Sequence, residues 1–412
     1  MVISPVECAQ RTVLVVEDSV VQRAHLVGLM RKLGFGIVLE AGDGNEALQV
    51  LETHGAQPVF LVLTDLEMPG MDGIELTRRL TDRALTENLI VVSARDPRLL
   101  EIIESMGSED AAIGLLGTVP KPVREDDLVL LLERVGQAGG MRASQRAVRT
   151  PSQEELGAAL ARGEFVVHFQ PKVSMRSGFI KGVEALARWQ HPQHGMLAPL
   201  HFLPCLEGSA LMAPFTLAIV EQVLRQITVW QQGGLPGMSV SVNLSAENLG
   251  DSRFVAQLSA LVQAHGVAPS ALIWEVTETM MMKQLSQALA NLGRLRLMGF
   301  GLAMDDYGIG YSSMQQLSRC PFTELKIDRA FVDGASQRPN RRVILESAID
   351  LGRRLGVTTV AEGVETAADW QLLQALGCDM AQGYLLARPM EAGALLGWVR
   401  DNRLRLRALG GR

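Results

Sequence analysis

Short apolar runs punctuate the first third of the chain. TVLVV (12–16), VFLVLTD (59–65) and LIVVSA (89–94) are too short for buried helices and show no polar alternation, so they read as strands covered on both faces. Between the first two, Ser19 opens a helical segment that closes with Arg31, Lys32 and Gly34, a polar start followed by a basic end and a glycine stop. Buried strands separated by helices predict an α/β fold, a doubly wound parallel sheet over residues 1–136. Functional residues of such sheets gather at the carboxyl ends of the strands.

The periodicity fades over 137–150 (QAGGMRASQRAVRT), which reads as a linker. Pro151-Ser152, with Glu154 and Glu155 behind it, marks a new helix start. From there to residue 412 strand-like and helix-like stretches alternate about eight times. The strand candidates are 165–171, 182–189, 238–244, 272–278, 301–306, 324–328, 358–363 and 379–384. Eight βα steps in a segment of this length predict a (β/α)₈ TIM-like barrel, with its site at the carboxyl-terminal face.

Composition narrows the picture little but excludes several classes. The 412 residues are 47% hydrophobic and 20% charged, with a net charge of −6, which suits globular domains and argues against a broad DNA-binding surface. Cys8, Cys205, Cys320 and Cys378 form no C-x-x-C pair, so neither a zinc site nor a disulfide framework is expected. MVISPVECAQ lacks the features of a secretion signal, and no apolar run is long enough to span a membrane. A cytoplasmic protein that contacts neither DNA nor membrane is the expectation.

Acidic residues fall where these folds place their chemistry. Glu17 and Asp18 follow the first strand, Asp65 ends 59–65, Ser93 ends 89–93, and Lys121 precedes Pro122. Clustered carboxylates can hold Mg²⁺, and a carboxylate beside that ion can take a phosphoryl group, with Ser93 and Lys121 placed to meet the new charge. In the second segment Glu184, Asn243, Glu275, Asp305, Asp306, Lys326 and Glu362 sit at or near successive strand ends. Oxygen donors without Cys or His favour Mg²⁺ or Mn²⁺. Adjacent Asp305 and Asp306 can bridge two metals, an arrangement suited to phosphodiester cleavage. Lys326 can hold a water, and Glu362 can bind metal or accept a proton. The glycines of 308–310 lack the third glycine of a dinucleotide fingerprint. His191 and His194 lie in the turn HPQHG, and His168 is expected to be a satisfied core residue.

The first segment, with DLEMPGMDG after Asp65, resembles a response-regulator receiver domain of flavodoxin-like fold. The likeness implies Asp65 as phospho-acceptor, one Mg²⁺ held by Glu17, Asp18 and the Glu67 carbonyl, and a histidine kinase or phosphotransfer protein as donor. Thr118 stands where that family usually has an aromatic residue. The second segment carries Glu184-Ala185-Leu186, QPKV (170–173), RW (188–189), VNLS (242–245), EVTE (275–278), DDYGIGYSS (305–313), LKID (325–328), AEGVE (361–365) and QGY (382–384). It resembles an EAL-domain phosphodiesterase, which opens cyclic di-GMP to linear pGpG. The resemblance implies that Glu184, Asn243, Glu275 and Asp305 hold one metal, that Asp305 and Asp306 share a second, and that Glu362 lies beside it as ligand or base. Lys326 would position the attacking water. Gln170 and Arg188 would contact the dinucleotide, Gln382 and 388–390 would line its guanine side, and Glu278 would anchor the loop over the metals, with Glu365 a further anchor. Both families commonly self-associate, which implies a homo-oligomer. A silent cyclic di-GMP receptor would be expected to lack part of the metal-ligand set, and none is missing; a pure interaction module would be expected not to bind cyclic di-GMP.

Overall fold

The computed structural model describes residues 9–55, 58–93, 114–132, 150–235, 237–277, 285–308 and 320–410. The chain divides into two compact units, 1–147 and 148–412.

The first unit is built on five parallel strands: β1 (Thr12–Val16), β2 (Ile37–Ala41), β3 (Val59–Asp65), β4 (Thr86–Ser93) and β5 (Gly114–Pro120), in the order β2-β1-β3-β4-β5. Successive side chains on a strand face opposite sides, and the core divides accordingly. Val13, Val15, Leu61, Leu63, Ile90 and Val92 pack with Leu26 and Met30 of the helix Val20–Lys32. Leu14, Val16, Val62, Leu89 and Val91 pack on the other face with Leu48, Leu51, Leu76 and Leu80. Both faces are covered, which is why these strands read as unbroken apolar runs. Two helices start on side-chain caps. Asp43 accepts from the backbone N–H groups of Asn45 and Glu46, and Asp72 from that of Glu75, satisfying donors that a helix start leaves open. Chain order reverses beside β1, with β2 on one flank and β3 on the other. The crevice there opens at the carboxyl ends of β1 and β3. Gly73 brings the next helix against β3: a Cβ on it would fall 2.1 Å from the Asp65 carbonyl oxygen.

The second unit closes a ring of eight strands. β6 (Phe165–Ser174), β7 (Ile180–His191), β9 (Ser239–Asn243), β10 (Leu272–Thr277), β11 (Gly301–Tyr307), β12 (Glu324–Ile327), β13 (Thr358–Ala361) and β14 (Met380–Ala381) pair in that order, and β14 returns to β6. Short strands β8 (Gly195–Leu197) and β15 (Met390–Glu391) add to β7 and β6. The ring departs from a regular (β/α)₈ barrel at one place. β6 runs antiparallel to both neighbours and joins β7 through a short turn rather than a helix. The other seven strands run parallel. Ser152 caps the entering helix Gln153–Ala161 by accepting from the Glu155 N–H. The long helix Met212–Gln232 buries Phe215, Ile219, Val223, Ile227 and Trp230 along one stripe, the spacing of a helix face turned to the core. Trp230 meets Phe169 of β6 edge-on, with centroids 4.8 Å apart, a contact worth about 1 kcal/mol beyond the area it buries.

Candidate active site and phospho-acceptor site

In the first unit β1 and β3 deliver three acids to one place. One ligand atom each of Glu17, Asp18 and Asp65 lies within 4.8 Å of the others. Lys121 Nζ stands 2.7 Å from Asp65 Oδ2 and 2.8 Å from Glu17 Oε2. Asp65 Oδ1 accepts from the backbone N–H groups of Leu66 (2.7 Å) and Glu67 (3.4 Å). Burial, with the Asp65 charge adding, raises the Glu17 pKa against the pull of Lys121. Burial works against the Lys121 ammonium, but its bonds to Asp65 and Glu17 outweigh it and raise its pKa. Glu17 and Asp65 are buried while Asp18 and Glu67 are exposed. Ser93 is buried at the end of β4, and its carbonyl accepts from the Lys121 N–H. Thr118 lies half-buried on β5.

The barrel gathers a larger set at its carboxyl mouth. Lys326 of β12 sits at the centre. Its Nζ is 2.7 Å from Glu362 Oε1, 2.9 Å from Glu275 Oε2, 2.9 Å from Asp305 Oδ1 and 3.8 Å from Glu184 Oε2. Asn243 Nδ2 bridges Glu184 Oε1 and Glu275 Oε2 at 3.4 and 3.5 Å. Gln382 Nε2 donates to Glu184 Oε2 and to Gln170 Oε1, and Gln170 in turn donates to the Ala387 carbonyl. Asp305, Asp306 and Glu362 bring ligand atoms within 4.8 Å of one another. Asp306 holds a left-handed backbone (φ 55°), a strained setting for a non-glycine residue. Arg188 follows Glu184 by four positions on β7, hence on the same strand face, and donates to the Ala187 carbonyl. Arg329 Nη2 reaches Glu365 Oε1 at 3.0 Å. Glu278 and residues 309–313 of the expected loop lie outside the described residues.

Electrostatics separates these acids. Burial, and then like charges led by Asp305, push Glu362 up to about 8 against the counter-pull of Lys326. Burial and then Asp305 push Asp306 to about 6. Burial chiefly raises Glu275 well above the carboxylate range. At Glu184 burial works the other way from the outcome, because Lys326, Gln382, Lys172 and Asn243 together lower its pKa. The four surrounding carboxylates outweigh burial and raise Lys326 well above its usual value. Six carboxylates, Glu184, Glu275, Asp305, Asp306, Glu324 and Glu362, face two buried ammonium groups, Lys326 and Lys172, an excess of four negative charges when all are ionised. Glu275 Oε1 and Gln382 Oε1 have no hydrogen-bond partner. An all-oxygen set with surplus negative charge and open lone pairs fits hard divalent cations.

Sequence reasoning gave no role to two residues that matter here, although one of them, Lys172, lies in QPKV. Lys172 and Glu324 are buried inside the barrel, 2.8 Å apart. The cue is a lysine inside the apolar strand FVVHFQPKV. His168 differs from the expectation: it is half-buried on β6 and its Nε2 finds no partner. The His191 turn is as expected, with Nδ1 accepting from the backbone N–H groups of Gln193 and His194.

A switch-point crevice with an acidic cluster and a lysine, joined in one chain to a barrel with acids at its carboxyl mouth, defines a two-unit signalling architecture. The family models agree: residues 13–133 match the response regulator receiver domain and 153–389 the EAL domain. The chain belongs to the EAL-domain family and carries an N-terminal receiver domain. Among curated proteins it is 36% identical to the cyclic di-GMP phosphodiesterase RocR of Pseudomonas aeruginosa over 379 residues, covering 92% of this chain and 96% of RocR. It is 41% identical over 245 residues to the bifunctional diguanylate cyclase/cyclic di-GMP phosphodiesterase MucR of the same organism, covering 60% of this chain but 36% of MucR. Among solved structures, the PaMucR phosphodiesterase in complex with c-di-GMP superposes with a TM-score of 0.57 at 41% identity, covering 59% of this chain and 98% of that one. The EAL enzyme Bd1971 in its cAMP- and cyclic-di-GMP-bound form gives 0.57 at 28% identity, covering 67% and 75%.

Proposed function

We propose that this chain is a response regulator whose barrel hydrolyses cyclic di-GMP to linear pGpG under control of phosphorylation at Asp65. The observation that carries the reading is the Lys326 ammonium held among Glu184, Glu275, Asp305 and Glu362 beside Asp306. Glu184, Asn243, Glu275, Asp305, Asp306 and Glu362 are the residues to hold a pair of Mg²⁺ or Mn²⁺ ions. Such a pair supplies charge neutralisation and a water acidified toward neutral pH. Lys326 would orient the attacking water and Glu362 would receive its proton. The water oxygen bonds to phosphorus, the bond from phosphorus to a ribose 3′ oxygen breaks, and that oxygen leaves as a hydroxyl after taking up a proton. Gln170 and Gln382, tied to each other and to Glu184, hold one side of the dinucleotide, and Arg188 suits a phosphate oxygen.

In the receiver domain Asp65 takes the phosphoryl group from a histidine kinase or phosphotransfer protein. Glu17, Asp18 and the Glu67 carbonyl would hold one Mg²⁺, and Ser93 and Lys121 would meet the new oxygens. The family likeness supports action as a homo-oligomer. No helix among the described residues is long and apolar enough to cross a membrane. The test is product analysis with Mg²⁺ or Mn²⁺, with and without beryllofluoride. Folded protein that binds cyclic di-GMP yet yields no pGpG with either metal refutes the hydrolytic reading. Turnover indifferent to beryllofluoride refutes the control.

A further inference from the structure

Deeper in the barrel than the Lys326 cluster lies a second buried lysine that the proposed reaction leaves without a task. Lys172 of β6 is fully buried. Its Nζ donates to Glu324 Oε2 (2.8 Å) and to Ser241 Oγ, and stands 4.0 Å from Glu275 Oε1, the carboxylate oxygen without a hydrogen-bond partner.

The strand registers account for this placement. Side chains two apart on a strand share a face, so Ser241 sits one layer below Asn243, and Glu324 one layer below Lys326. Because β6 is antiparallel, Lys172 lies farther from the carboxyl mouth than Gln170, paired with Gly182, two residues before Glu184. A Cβ on Gly182 would fall 2.6 Å from Ser239 Oγ and 3.5 Å from Lys172 Cε. Glycine at that position leaves room for the lysine stem. An ion pair sealed in a barrel carries a desolvation cost that an apolar pair avoids. What the apolar pair could not supply is a cation beneath a carboxylate of the site.

We propose that Lys172 is a positioning residue for the barrel site: anchored by Glu324 and Ser241, its ammonium fixes Glu275 from below through Oε1, so that Oε2 is presented to Lys326 and the metal-binding acids. This rests on the metal-dependent reading given above. Groups that orient metal ligands typically change metal affinity by about 10–100-fold when removed.

The experiment titrates Mn²⁺ calorimetrically into the full chain carrying Asp18→Ala, so that only barrel ions are counted. Lys172→Met alone strands Glu324 and loses stability for that reason. The informative pair is Glu324→Gln, which keeps Lys172, and Lys172→Met/Glu324→Gln, which removes both charges. Glu324→Gln strands the Lys172 ammonium in turn and should melt lower than the parent, but it should bind Mn²⁺ more tightly than the double variant does. The double variant should keep the parent's melting temperature and its KM for cyclic di-GMP, but bind Mn²⁺ at least about 10-fold more weakly, with half-maximal turnover displaced to higher Mn²⁺ in step. A double variant with parental Mn²⁺ affinity would show a purely structural lysine and overturn the proposal, as would Glu324→Gln weakening Mn²⁺ equally. A parent that takes up no Mn²⁺ overturns the metal reading itself, and this one with it.

Discussion

Replacing Lys326 by methionine removes the one group that touches Glu275, Asp305 and Glu362 within 2.9 Å. The methionine fills similar space, so the loss is electrostatic. Stripping one partner from a buried ion pair costs about 3–5 kcal/mol, and here several carboxylates lose their cation together. For a domain of this size, about 2–4 °C of melting temperature accompanies each kcal/mol, so the metal-free barrel should melt roughly 6–20 °C lower. The cost depends on pH in a definite sense. Glu362, already pushed up to about 8, and Asp306, at about 6, hold protons in the folded state that they would not hold unfolded. A carboxyl group with a raised folded pKa adds stability that is complete below its unfolded value and disappears as pH rises through the folded one. The Lys326→Met penalty should therefore be smaller near about pH 5 than above about pH 8. Divalent cations replace the missing charge, so Mn²⁺ should raise the variant's barrel transition more than the parent's. Scanning calorimetry in chelator and in Mn²⁺, at both pH values, reads all of this, with the receiver transition as internal reference. A metal-free variant that melts within about 2 °C of the parent at the higher pH, or gains no more from Mn²⁺, would refute the charge-balance argument.

Glu362→Gln keeps shape but removes the proton acceptor, and pGpG formation should fall by about 10²–10⁴-fold while cyclic di-GMP binding by calorimetry survives. Asp65→Asn should leave turnover in the absence of phosphodonor near the parent's and abolish any response to beryllofluoride, measured by product chromatography. Gly73→Ala drives a methyl into the Asp65 carbonyl, 2.1 Å away; the receiver transition should drop by about 1–3 kcal/mol while the barrel transition stays in place.

Several strands that carry the site read clearly in the sequence because they join an apolar run to an acid. VFLVLTD, LIWEVT and GLAMDD owe their apolar runs to burial; an acid closes the first and last and stands two residues before the end of the second. What hid was structure whose local chemistry points elsewhere. β2 (IVLEA) is half-exposed at a sheet edge, and β5 (GLLGTVP) carries two glycines and a proline, so neither has a strand's signature. The reversal of β6 is invisible to periodicity, since a strand alternates identically in either direction. Only the short turn before Ile180, too brief for a crossover helix, hints at it. Lys172 hid for a different reason. Its partners, Ser241 and Glu324, are 69 and 152 residues away, so no local pattern could join them.

The two sites use the same parts at different depths, and depth decides what each can do. In the receiver domain one lysine bridges two buried acids while Asp18 stays exposed. That leaves the Asp65 carboxylate paired with Lys121 beside an exposed acid. In the barrel the acids outnumber the lysines, and burial is deep enough to bring Glu362 up to about 8. A carboxylate raised that far is a base matched to neutral pH rather than an inert anion. Its proton affinity would fall as dications enter, so metal binding would itself ready the proton acceptor. Lys326 holds four of these acids within 4 Å of one ammonium group.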